Sequence, residues 1–113
     1  MPLIYKICPA ALWRQAEAGG AFRGSPVDLA DGYIHFSTAA QAKETAAKHF
    51  AGQSDLVLVA IDSEKLGHSL KWEPSRGSDL FPHLYALLDV KLVASVASLP
   101  LGADGKHVFP PLD

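Results

Sequence analysis

The feature of this chain that most constrains its fold is the continuous apolar run LVLVAI at residues 56–61. The run is too short for a helix of its own, and it lacks the alternation of a strand with one solvated face. It therefore predicts a central strand that is buried on both faces. A chain built around such a strand needs helices or further strands to cover both sides of it.

Length and charge limit what this core can belong to. A chain of 113 residues has room for one domain, residues 1–113, and no second folded unit. The net charge of −2 gives no basic surface, so neither a nucleic-acid partner nor an acidic membrane surface is expected. The single cysteine, Cys8, cannot form an internal disulfide, and no apolar run approaches the about 20 residues of a membrane span. The predicted location is the cytoplasm.

Two helices are predicted around the central strand. Pro9 can open the first, residues 10–18, because a proline lacks the N–H group that has no partner in a first turn. Thr38 begins a capping box for the second helix, which Gly52 closes. Residues 21–30 contain turn-forming residue types without periodicity and are predicted to form an ordered loop.

The other elements are predicted to be extended. They are residues 3–8, 33–36, 70–73, 81–88 and 90–99. About six strands and two main helices, without regular alternation of strand and helix, predict an α+β domain rather than a doubly wound one.

The first candidate site is the segment DGYIHFST, residues 31–38. Strand alternation places His35 on one face, and Ser37 and Thr38 follow at a helix N-terminus. Such a terminus attracts anions, so the segment predicts binding of phosphate, ribose or carboxylate. The alternative is structural: Ser37 and Thr38 are helix caps, and His35 is a core histidine with both ring nitrogens satisfied.

The second candidate is WEPSRG, residues 72–77, in which Trp72 and Arg76 are predicted to contact the ligand. Glu73 lies beside Trp72, where partial burial would raise its pKa toward that of a general base. Arg76 could contact a phosphate through two N–H groups. An ordinary ion pair between Glu73 and Arg76 is the alternative.

The third candidate is FPHLY, residues 81–85. Period-2 alternation puts Phe81, His83 and Tyr85 on one side of a strand, where they could stack on a flat ring and hydrogen-bond a sugar; ordinary sheet packing is the alternative. A metal site of His35, Glu73 and His83 lacks the short spacing of common ligand motifs. No metal and no tightly bound cofactor is implied.

The strings DGYIHFSTAAQ, LKWEPSRG and FPHLY, in this order, resemble an uncharacterised bacterial and plant family, numbered nine hundred and fifty-two among the domains of unknown function. The resemblance runs from about residue 4 to residue 99. It implies a fold similar to the ADP-ribosyltransferases, which is a split, mixed β-sheet with a cleft for NAD-like dinucleotides. It implies no established activity.

A looser likeness to the RNA 2′-phosphotransferase branch of that fold can be followed along the chain. The segment IHFS, residues 34–37, looks like the second motif strand of that branch. In the first motif strand, relatives often have a histidine, whereas this chain has Tyr5 and Lys6. Glu73 is the best candidate for the catalytic glutamate that such transferases carry.

Together these features predict a nucleotide-binding domain that acts as a transferase or hydrolase on an NAD-type or phosphorylated-ribose substrate. His35 would hydrogen-bond ribose or phosphate, with Ser37 and Thr38 adding contacts. Glu73 would stabilise an oxocarbenium charge or accept a proton, and His83 and Tyr85 would form the base-stacking wall.

Two other hypotheses remain open from the sequence. One is a non-catalytic module that uses the same cleft to sense a metabolite or dock a protein. The other takes all three segments as structural. Under the leading hypothesis the partner is a small-molecule nucleotide or sugar phosphate, NAD is a substrate rather than a bound cofactor, and the chain is a monomer or a weak homodimer.

Overall fold

The structure is a computed structural model that describes residues 2–75 and 79–112. Arg76, the predicted phosphate contact, lies outside the described residues. The strands are Leu3–Pro9 (β1), Ala21–Phe22 (β2), Ile34–His35 (β3), Ser37–Thr38 (β4), Leu56–Asp62 (β5), Leu70–Pro74 (β6), Leu80–Leu84 (β7), Leu88–Asp89 (β8) and Val93–Leu99 (β9). The α-helices are Ala10–Gly19 (α1), Pro26–Asp31 (α2) and Ala39–His49 (α3), and 3₁₀ turns cover Ser63–Ser69 and Val90–Leu92.

The predicted buried strand is confirmed. β5 lies inside a four-stranded sheet with the strand order β4-β1-β5-β9, and all but one of its residues are buried. The helix α3 covers one face of this sheet, and its Ala42 and Ala46 are buried there. Small side chains let the helix approach the sheet closely.

The second group of strands forms a three-stranded sheet in the order β3-β7-β6 and a small pair of β2 with β8. The chain passes from this sheet to the first at Phe36, whose backbone N–H donates to the Pro82 carbonyl at 3.0 Å. Every strand pairing among the described residues is antiparallel. The fold is α+β with several antiparallel sheets, and the predicted mixed sheet is corrected to an antiparallel one.

A third helix stands where residues 21–30 were predicted to be a loop. Ser25 is the N-cap of α2, Pro26 occupies its first position, and Asp28 completes a capping box with Ser25. Gly32 ends the helix with φ 88°, a left-handed conformation that glycine adopts without strain. The helix is only six residues long, so it shows no apolar periodicity, and its capping pattern was the only signal of it.

The interior is divided by the first sheet. Between this sheet and the second group of strands lie apolar side chains that include Ile4, Trp13, Ile34 and Leu84. On the other side, α3 and the C-terminal tail cover a separate cluster. No helix of the described residues is long and apolar enough to cross a membrane.

Candidate functional site

The first and third candidate segments meet across the β3–β7 ladder. His35 lies directly opposite His83 in the register, and their ring centroids are 5.5 Å apart in an edge-on arrangement. Residues directly opposite in an antiparallel pair project to the same face. The two imidazoles therefore share one face of the second sheet.

Tyr33 joins the two histidines into an aromatic group. Its ring stacks on His83 with a centroid distance of 4.2 Å and an interplanar angle of 27°. The same ring lies 4.6 Å from His35 and 5.1 Å from Tyr85. We call Tyr33, His35, Glu73, His83 and Tyr85 the aromatic–acid cluster.

Below His35, the buried carboxylate of Asp28 collects five donors. Asp28 is 1% exposed, and the Lys6 ammonium lies 2.7 Å from its Oδ2. The backbone N–H and the hydroxyl of Ser25 also donate to Oδ2, while the backbone N–H of His35 donates to Oδ1. Nδ1 of His35 lies 2.6 Å from Oδ1. Burial alone would raise the pKa of Asp28, but the hydrogen bond from His35 and the charge of Lys6 hold it well below its usual range.

Both ring nitrogens of His35 face carboxylates. Nδ1 contacts Asp28, and Nε2 lies 2.9 Å from Oδ2 of Asp31. An ionised carboxylate can only accept hydrogen bonds, so both contacts are hydrogen bonds only when the imidazole carries two protons. Asp31 is 44% exposed and can turn away, whereas Asp28 cannot. Nε2 is therefore the nitrogen of His35 that can be freed for a ligand.

Glu73 is held by the third segment. Its Oε1 accepts a hydrogen bond from the Tyr85 hydroxyl at 2.7 Å and lies 2.8 Å from Nδ1 of His83. These two hydrogen bonds, the one from Tyr85 first, lower the pKa of Glu73. The predicted rise in the pKa of Glu73 is thus corrected: the carboxyl has donors and solvent around it rather than an indole pocket.

The contact with Glu73 assigns a tautomer to the neutral form of His83. Because the carboxylate accepts, Nδ1 of His83 carries the proton and Nε2 is an acceptor. That Nε2 is buried and has no hydrogen-bond partner among the described residues. A buried polar atom without a partner is uncommon, and a water or ligand donor would complete it.

The two phenols respond to the surrounding carboxylates. The hydrogen bond to Glu73 is the main factor that raises the pKa of Tyr85 to about 12. Burial raises the pKa of Tyr33, and the charges of Asp31, Glu73 and Asp28 add to the effect. Both phenols therefore stay protonated at neutral pH and can act as donors.

Trp72 does not join the cluster. In the β6–β7 register it lies opposite Pro82, whereas Lys71 lies opposite His83. Trp72 therefore projects from the face of the sheet opposite to the imidazoles. It is 44% exposed there, so its indole does not bury Glu73 as the sequence predicted.

Ser37 and Thr38 act locally in this structure. The Thr38 hydroxyl accepts from the backbone N–H of Gln41, which completes the predicted capping box of α3. The buried Ser37 hydroxyl lies 2.9 Å from the hydroxyl of Thr45 on the same helix. Thr38 is thus a helix cap, as the structural alternative has it, whereas Ser37 contacts a helix side chain and caps nothing. His35 stays partly exposed, at 29% of its side chain.

Sequence reasoning missed three residues of the site. Lys6 shares a face of β1 with Ile4 and Cys8, so its ammonium enters the core, where charged groups are rare. Asp28 was assigned to a loop, although its spacing from Ser25 is that of a capping box. Tyr33 was treated only as a strand residue, and its stacking depends on a register that the sequence does not contain.

Two hollows of the described surface are lined by α3 and the C-terminal tail and not by the aromatic–acid cluster. One hollow of about 430 Å³ lies between α3 and the C-terminal tail and is lined by Lys43, Ala46 and Phe109 among others. A neighbouring one is also lined by α3 and the tail. Within residues 2–75 and 79–112, no group of three or more His, Cys, Asp or Glu side chains is arranged to hold a metal ion.

A comparison with protein families identifies the group to which this sequence is related. Residues 7–96 match the family described as "Protein of unknown function (DUF952)". The chain belongs to this family. A comparison with curated proteins gave no significant match.

Solved structures of another protein agree with the fold. The crystal structure of protein CC0527 from Caulobacter crescentus is 57% identical, with a TM-score of 0.90, over 94% of this chain and 93% of that chain. The solution NMR structure of CC0527 gives a TM-score of 0.85 at 57% identity, over 94% of this chain and 91% of that chain. The fold described above is therefore similar to the experimentally determined fold of CC0527.

Proposed function

We propose that this DUF952 protein binds an NAD-like nucleotide or a phosphorylated ribose at the aromatic–acid cluster. The observation that carries the proposal is the meeting of three chain segments, which brings His35, Glu73, His83 and Tyr85 to one face of the second sheet. Flat aromatic rings beside fixed acceptors suit a heterocyclic ring attached to a sugar.

The charges in and around the cluster favour the ring and ribose end of such a ligand over its phosphates. Asp28, Asp31 and Glu73 all act on the Tyr33 hydroxyl, and Lys6 is already paired with Asp28. Carboxylates repel phosphate but attract a positively charged ring and accept hydrogen bonds from ribose hydroxyls. We place the ring and its ribose inside the cluster, with any phosphates outside it.

Glu73 would act as an ionised group. Its lowered pKa keeps the carboxylate charged at neutral pH, and Oε1 is held by two donors. A fixed negative charge beside a glycosidic bond stabilises the oxocarbenium ion that forms when the bond breaks. This role fits a transferase or hydrolase better than the role of general acid, which would need a raised pKa.

The family resemblance extends the proposal to the fold. We propose that the architecture is a variant of the ADP-ribosyltransferase-like fold, in which the ligand lies between two sheets. The division of the longer strands into two sheets, with the chain crossing between them at Phe36, supports this view. The chain differs from the RNA 2′-phosphotransferase branch in the first motif strand. Relatives often have a histidine there, whereas this chain has Lys6, which pairs with Asp28.

The alternative is a non-catalytic module that senses a metabolite or docks a protein at the same surface. The occupied state of His35 supports this alternative, because both of its ring nitrogens already contact carboxylates. Such a module would bind ligand through Tyr33 and Tyr85 without turning it over.

Calorimetry with NAD, ADP-ribose and ribose 5-phosphate tests the binding proposal. We expect NAD to bind more tightly than ADP-ribose, which lacks the charged ring, and ribose 5-phosphate to bind weakest. His35→Gln should weaken NAD binding at least about tenfold, since its partly exposed ring carries the nitrogen that a ligand can reach, and one lost hydrogen-bonded contact is worth about 1.4 kcal/mol. The matched control is His68→Gln, which changes an exposed histidine outside the cluster. No binding at millimolar concentration would reject the proposal.

A turnover assay with the Glu73→Gln variant separates the enzyme from the module. An enzyme predicts that wild type releases the free base from NAD and that the variant binds NAD but releases none. A module predicts binding by both proteins and no release by either.

A further inference from the structure

The strand β9 leaves one edge of the first sheet open. In the strand order β4-β1-β5-β9 it is the last member, and its register is with β5 alone. In the described part of the chain, no backbone hydrogen bond joins its outer edge to another segment. Residues 94–96 and Ser98 are exposed. A row of backbone donors and acceptors along this edge therefore faces solvent.

This edge lacks the protection found at the other sheet edges. The sequence of β9 is VASVASL, with neither a charged residue nor a proline. By contrast, β4 has only two residues, and the outer strand β6 carries Lys71 and Glu73 and ends at Pro74. Charges, prolines, short length and bulges are the usual means of blocking edge pairing, and of these β9 has only a bulge, at Ala94. A long, uncharged edge strand is typical of a surface that pairs with another strand.

We propose that a second copy of this chain pairs with β9 in antiparallel fashion about a two-fold axis near Val96. Such an axis sets Val96 against its own copy and Ser95 against Ala97, so that similar small side chains meet on each face. Val96 is 41% exposed in the single chain and would be covered in the pair. The near-symmetry of the strand around Val96 favours a copy of itself over an unrelated strand.

The pairing is expected to be weak. A register shift leaves Ala94 without a partner on β5, and such a bulge bends the edge and shortens the regular ladder. A short ladder buries less surface than a stable dimer interface requires. The dimer should therefore form reversibly and depend on protein concentration.

Sedimentation of charge-changed variants tests this proposal. Wild type should shift from monomer to dimer as concentration rises. Val96→Lys should weaken self-association at least about tenfold, because two lysines would face each other across the axis. Val96→Glu should do the same, and an equimolar mixture of the two variants should associate again. Val108→Lys, at a tail residue that is 54% exposed, is the control and should leave the dimer intact.

Three results would overturn the proposal that β9 pairs with its own copy, and one would support it. A wild type that stays monomeric at the highest soluble concentration overturns the proposal. So does a dimer that survives both Val96 variants, or a mixture that fails to associate while each variant keeps the circular dichroism and melting behaviour of wild type. Association that is lost in each Val96 variant and recovered in their mixture identifies β9 as a self-pairing edge.

Discussion

Two carboxylate–imidazole pairs stand side by side in this molecule and differ in depth. Asp28 with His35 is anchored in the core, where the carboxylate is 1% exposed and Lys6 balances its charge. Glu73 with His83 is reversed: the imidazole is buried and the carboxylate is 35% exposed. In the first pair the carboxylate is buried and the imidazole is partly exposed. In the second pair the imidazole is buried and the carboxylate is partly exposed.

The difference separates a pair whose carboxylate is closed to solvent from a pair whose carboxylate is open to it. Asp28 is saturated by donors from Lys6, Ser25 and His35, so it fixes the position of α2 and β3 and is closed to a ligand. Glu73 uses a single oxygen for its two donors. We therefore expect stability to depend on the first pair and ligand chemistry on the second.

The largest effect should come from Asp28→Asn. The change leaves the buried Lys6 ammonium without its counter-charge, which typically costs about 3–5 kcal/mol. Urea unfolding should show this loss, and Lys6→Met in the same chain should recover part of it. An Asp28→Asn variant as stable as wild type would contradict the structural role of the first pair.

The second largest effect should come from lowering the pH, which protonates Asp28 and removes its contribution to stability. Its pKa is lower in the folded chain than the unfolded value of about 3.9, so the folded state binds fewer protons. The stabilisation is therefore complete above that unfolded value and is lost as the pH falls below it. Unfolding free energies measured from pH about 6 downward should fall more steeply for wild type than for Asp28→Asn. Parallel curves would contradict the assignment.

A smaller, local effect is expected from Glu73→Gln. Without the carboxylate, the pKa of Tyr85 should fall from about 12 toward the ordinary tyrosine value. Ultraviolet titration of tyrosinate measures this change, and Tyr85→Phe identifies the signal. Urea stability should change far less than in Asp28→Asn. An unchanged tyrosine titration would show that the Glu73–Tyr85 hydrogen bond does not form in solution.

The smallest effect should come from Trp72→Ala. The side chain is 44% exposed and lies on the face of the sheet away from His83. Stability should change by about 0.5 kcal/mol, as is common at surface positions, and nucleotide affinity should stay the same. A loss of affinity in this variant would restore the sequence-based prediction that Trp72 belongs to the site.

The sequence predicted the elements whose signals are local. The apolar residues 56–61 and the Thr38 capping box gave the central strand and α3 in their observed places. The helix α2 was missed because its six residues carry caps but no periodicity. The antiparallel pairing of all described strands could not be predicted either, since direction depends on which strands meet.

The candidate site shows the same division. Alternation is a local rule, so it placed His83 and Tyr85 on one side of their strand and His35 on one face of its own. The pairing of His35 with His83 depends on a register that the sequence does not contain. Lys6 and Asp28 are 22 positions apart, and no local rule connects them. The strand β6 was predicted, but not its register against β7, and this register removes Trp72 from the cluster.

The most direct test of the central claim is an NMR titration of the labelled protein with NAD. Ligand binding at the aromatic–acid cluster predicts that signals of Tyr33, His35, His83 and Tyr85 shift together and saturate along one binding curve. Signals of α3 and the C-terminal tail should stay in place. No shift at millimolar NAD, or shifts confined to the hollow beside α3, would contradict the claim that the cluster is a nucleotide site.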